Sequence, residues 1–80
     1  MSNIDDIVFA FGVMGKMEYE LADGTVYLCE EIDEEYKISY IITMHNCKVV
    51  FATATDKDLK TAVSKVHDFV MRATVKTEVL

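Results

Sequence analysis

An α+β fold is predicted: a four-stranded antiparallel β-meander, a long C-terminal helix packed on one face, and a short N-terminal helix. Three observations predict it. Asp23-Gly24 and His45-Asn46 are turn signals set between runs of alternating apolar and polar residues. From Thr55 to Ala73 the period becomes helical, with Leu59, Ala62, Val63, Val66, Phe69, Val70 and Ala73 on one stripe. Such a helix takes most of its stability from packing, and the strands before it supply an apolar surface.

The elements follow in chain order. Over Ser2–Phe11, Ser2 caps, Ile4, Ile7, Val8 and Phe11 share a face, and Gly12 stops a short helix; a strand over Ile7–Met14 is the other reading. Alternation then predicts a half-buried strand from Val13 to Leu21. A type I′ turn at Asp23-Gly24 sets Leu21 against Val26 and Tyr19 against Leu28 on the core side. It leaves Tyr27 and Cys29 outside, beside Glu20 and Glu18. Five acids around Ile32 predict a loop over Glu30–Glu35, since dense like charge resists a strand interior.

Tyr36, Ile38, Tyr40, Ile42 and Met44 alternate with Lys37, Ser39, Ile41 and Thr43 in a third strand, which turns at His45-Asn46 into a fourth, Cys47–Thr53. That register faces Ile42 with Val49 and Tyr40 with Phe51, and Ile41 with Val50 on the far side. Phe69 is expected beneath them in the core. Thr55 is placed to cap the long helix, with Asp58 three residues on. Residues 74–80 form a short edge strand or fray. The face away from the long helix is then unusually apolar, carrying Tyr27, Cys29, Ile41, Val50 and Ala52, and either the first helix, a second copy of the chain or another partner covers it.

Eighty residues without proline make one domain, residues 1–80, with a small core. Asp5 and Asp6 stand where a signal peptide would be basic, and no apolar run reaches the roughly 18 residues of a membrane span. Two cysteines make no disulfide framework, so a cytoplasmic protein with reduced thiols is expected. Residues 1–36 carry ten acids against Lys16 alone, net −9, while residues 37–80 are net +3. That negative end repels nucleic acid and steers toward a basic partner.

Cys29, His45, Cys47 and His67 would make up a zinc ligand set in number, but their spacing lacks the close pairs of a zinc site, and no metal or cofactor is expected. Cys29 lies among acids, which work against a reactive thiolate. No nucleophile–base pair, separated carboxylate pair or glycine-rich phosphate loop is present, so the chain reads as non-enzymatic.

Glu18, Glu20, Glu30, Glu31, Asp33, Glu34 and Glu35 gather at one side of the first hairpin. The expected function is therefore a protein-binding module, an inhibitor or adaptor whose carboxylates occupy phosphate positions on a basic, nucleic-acid-binding partner. The alternative is a self-associating structural module, a homodimer paired through the outer face at Tyr27, Ile41 and Val50. A further alternative starts from element order. A helix, a small antiparallel sheet and a final helix opening Thr55-Asp56-Lys57-Asp58-Leu59-Lys60 resemble the double-stranded RNA-binding domain. The resemblance implies phosphate contacts from the lysines at that helix start, where two acids and the net charge of −6 oppose them.

Overall fold

A computed structural model describes the backbone of residues 4–79 and the side chains of residues 4–73. The order is α1 (Ile4–Gly12), β1 (Glu18–Glu20), β2 (Val26–Ile32), β3 (Glu35–Met44), β4 (Cys47–Asp56) and α2 (Leu59–Val79). The strands form one antiparallel sheet in the order β1-β2-β3-β4, so the meander and the helix at each end are as the sequence predicts. Both helices lie on the same face. Ile7 and Phe11 of α1 and Ala62, Val63 and Val66 of α2 share one buried cluster with Tyr27, Cys29, Ile38 and Tyr40 of the sheet. The first helix therefore does not cover the outer face, and among the described residues no element does.

The first hairpin differs from expectation by one residue. Glu18 pairs with Leu28, Tyr19 with Tyr27 and Glu20 with Val26. The reason lies in the turn. Gly24 N–H donates to the Leu21 carbonyl and Leu21 N–H to the Thr25 carbonyl, which makes a three-residue loop closed by a left-handed Gly24, φ 92°. Asp23 Oδ1 accepts from both the backbone N–H and the hydroxyl of Thr25, at 3.0 and 2.7 Å, and these bonds hold its carboxyl below the ordinary range. A one-residue slip exchanges the faces of a strand. Tyr27 and Cys29 accordingly sit in the core, 2% and 9% exposed, and Val26 and Leu28 take the outer face. Tyr27 is thus withdrawn from the outer surface where the sequence placed it.

Other boundaries moved for identifiable reasons. β1 is only three residues long, because Lys16 N–H bonds back to Ala10 at the end of α1 and Gly15 is left-handed at φ 69°. The Glu30–Glu35 loop is instead a tight two-residue turn at Asp33-Glu34 between long strands. Alternation sends the neighbouring carboxylates to opposite faces, and Lys37 stands across from Glu30, so the expected repulsion does not break the ladder. Asp58, rather than Thr55, caps α2, with its Oδ2 accepting from Thr61 N–H at 3.0 Å, while Thr55 is still in β4. The backbone of α2 continues to Val79, so 74–79 is helix and not an edge strand.

The second expected hairpin is largely borne out. His45 and Asn46 are both left-handed, at φ 51° and 65°, and Ile41 faces Val50 and Ile42 faces Val49. Beyond Ile41 a β-bulge makes Phe51 the extra residue and pairs Tyr40 with Ala52. The bulge brings Ala52 onto the helix side, where it packs against the core. Phe69 is not buried there: it is 50% exposed, at the rim of the helix layer, its ring 6.0 Å from that of Phe51.

Candidate functional site

The corrected register builds an open sheet face with a charged margin. On β1 and β2 the residues pointing away from the helices are Glu18, Glu20, Val26, Leu28, Glu30 and Ile32. Glu20 lies level with Val26, Glu18 with Leu28, Glu30 follows on β2 itself, and Glu35 stands across from Ile32. Four carboxylates thus occupy four successive outward levels of the ladder, with neighbouring levels about 6.5–7 Å apart, two residues of extended chain. The line ends at the turn residues Asp33 and Glu34. Glu34, a non-glycine residue at φ 64°, holds a conformation that costs about 1–2 kcal/mol.

Most of the seven predicted carboxylates are solvent-exposed; Glu30 and Glu35 are half-buried. The two ion pairs among the described residues, Lys60–Asp5 at 3.7 Å and Lys65–Asp56 at 3.0 Å, use none of the seven. Six of them fall on or at the end of the outer line. Glu31 does not: it pairs with Tyr36 on the helix side. Beside the line runs an apolar strip of Val26, Leu28, Ile41 and Val50, of which Val50 is 56% exposed. Lys48 reaches across this strip, lining a shallow groove of about 160 Å³ with Glu18, Glu20 and Val26. Sequence reasoning missed Val26 and Leu28 as surface residues, because Val26–Cys29 is apolar at every position and carries no face signal.

The cysteines and histidines are dispersed. Cys29 is buried and Cys47 exposed at the far hairpin beside His45. Among the described residues no three metal-binding side chains gather. Burial pushes the Cys29 thiol above its ordinary range, and Glu31 and Glu30 add to the effect. His67 lies on α2, its Nδ1 buried without a hydrogen-bond partner. It borders a cleft of about 640 Å³ between the helices, walled chiefly by Ile4, Ile7, Tyr27, Tyr40 and Val70. Among the described residues no helix is long and apolar enough to cross a membrane. Compared with known protein families, curated proteins and solved structures, the chain has no significant match to any of them.

Proposed function

We propose that the chain is a non-enzymatic binding module whose acidic line, Glu20–Glu18–Glu30–Glu35, engages the phosphate-binding groove of a basic partner protein. The observation that carries this reading is the placement of four outward carboxylates at successive levels of the ladder across β1, β2 and β3, none of them in an ion pair among the described residues. Regularly spaced charge on a fixed ladder suits a groove built for a phosphate chain, which a mobile acidic tail would match only at an entropic cost. The strip of Val26, Leu28, Ile41 and Val50 lies alongside and gives such a partner an apolar contact to bury. Self-association through the same strip is the second reading, favoured by the exposure of Val50. Salt separates the two, since an acidic interface weakens steeply with ionic strength and an apolar one does not.

The test uses immobilised chain and a whole-cell extract at low salt, eluted with a salt gradient. The parent is expected to retain a basic protein that both salt and added RNA or DNA release. A variant carrying Glu18→Gln, Glu20→Gln, Glu30→Gln and Glu35→Gln should lose that protein while its melting temperature stays within a few degrees of the parent. Retention of the same protein by the variant, or its indifference to nucleic acid, contradicts the proposal.

A further inference from the structure

The two edges of the sheet are built in opposite ways. β1 is three residues long and carries Glu18 and Glu20, both devices that discourage a further strand from pairing. β4 is ten residues long, and from Val49 to Thr55 it holds no charge, glycine or proline. Val49, Val50 and Phe51 on it are 42%, 56% and 43% exposed. An edge of that length and composition is a template for another strand.

We propose that β4 pairs antiparallel with β4 of a second copy of this chain, giving one continuous eight-stranded sheet about a two-fold axis. The bulge selects the register. Before it, Val49 and Phe51 lie on the helix side and Lys48 and Val50 on the open side; after it, Ala52 and Ala54 lie on the helix side and Thr53 and Thr55 on the open side. Residues directly opposite in an antiparallel pair share a face. One register keeps every central pair matched, with the axis between Phe51 and Ala52. It sets Phe51 against Ala52 of the second copy, Val50 against Thr53, Val49 against Ala54 and Lys48 against Thr55, each pair occurring twice, as an isologous contact requires. A shift of the axis by one residue along the strand in either direction puts a helix-side residue against an open-side one at the centre.

The chemistry of the edge fits a second copy. Phe51 meets alanine, large against small, so the bulky rings do not collide at the axis. The groove between β4 and α2, lined by Phe51, Lys65, Asp68, Phe69 and Arg72, opens on the same edge and holds both signs of charge. Glu18 and Glu20 of the acidic line lie on the opposite edge strand, while Val50 belongs both to the dimer seam and to the strip beside the line.

Sedimentation of the purified full chain over a concentration series tests this. The parent is expected to form a dimer. V50K/T53K places lysine against lysine twice and should raise the dimer Kd by roughly tenfold or more. V50K/T53E places lysine against glutamate in the same register and should restore dimerisation, an outcome that pairing through the outer face does not give. A mixture of V50C/C47S and T53C/C47S should oxidise to the mixed dimer in preference to either like pair, because opposite Cα atoms lie about 4.5–5.5 Å apart, within disulfide reach. The cross-link decides the question if the charged variants lose their fold. A monomeric parent, a V50K/T53K dimer as tight as the parent's, a charge swap without rescue, or cross-linking of like pairs would overturn the proposal.

Discussion

Ile38→Ala is expected to lower the free energy of unfolding by about 2–5 kcal/mol, a large part of what a domain this size has. Ile38 has no exposed surface, sits at the centre of β3, and stands between Cys29 and Ala54 on the helix side of the sheet. The fully buried Val63 and Val66 of α2 belong to the same cluster, so the lost atoms leave a cavity that neither a strand nor a helix can easily close. Phe69→Ala provides the contrast. Its ring is half exposed and touches Phe51 at the rim, so about 1 kcal/mol is expected from the area it covers. Urea midpoints of the two variants measure both, and equal losses would mean that α2 lies further over β4 than described.

The next largest effect is alkaline. Tyr27 is 2% exposed, and burial, with the neighbouring Tyr40 adding to it, pushes its phenol up to about 12 from the ordinary 10.0. The unfolded chain therefore releases this proton at a lower pH than the folded chain does. Between the two values the unfolded state binds fewer protons, so stability is complete below about pH 10 and falls as pH rises toward about 12. Two pH units at about 1.4 kcal/mol each give an expected loss of about 2–3 kcal/mol. Tyr27→Phe should remove that slope from a series of urea midpoints against pH. An unchanged slope in the variant would place the titrating group elsewhere.

Much of this fold was legible in the sequence, and the exceptions share a cause. His45-Asn46 allowed one turn geometry, and the polar residues of β3 fixed its faces, so Ile42–Val49 and Ile41–Val50 were read correctly. Asp23-Gly24 is compatible with a two-residue or a three-residue loop, and Val26-Tyr27-Leu28-Cys29 is apolar whichever face is buried. Nothing local distinguished the registers, so Tyr27 and Cys29 were assigned to the wrong side. The bulge at Phe51 was illegible because it answers to the twist and packing of the whole sheet. Phe69 belongs to the apolar stripe of α2, yet periodicity does not say how far a sheet extends beneath it. The acidic residues were legible as a group. Their arrangement into a line depended on Glu18 standing beside Leu28 rather than Cys29, and so on the register that was missed.

The register of β1 on β2 determines which face Glu18 and Glu20 take and so the line of carboxylates, and cross-strand proton contacts measured by NMR report it directly. Leu21 N–H donating to Thr25 and Cys29 N–H donating to Met17 mark the hydrogen-bonded pairs. Glu18–Leu28 and Glu20–Val26 are then the close, non-hydrogen-bonded pairs, with Cα atoms about 4.5 Å apart. Strong Hα–Hα contacts are expected between Glu18 and Leu28 and between Glu20 and Val26. Contacts of Leu28 with Tyr19 and of Val26 with Leu21 in their place would turn Glu18 and Glu20 to the face of Tyr27 and Cys29, break the line of acids, and contradict the site.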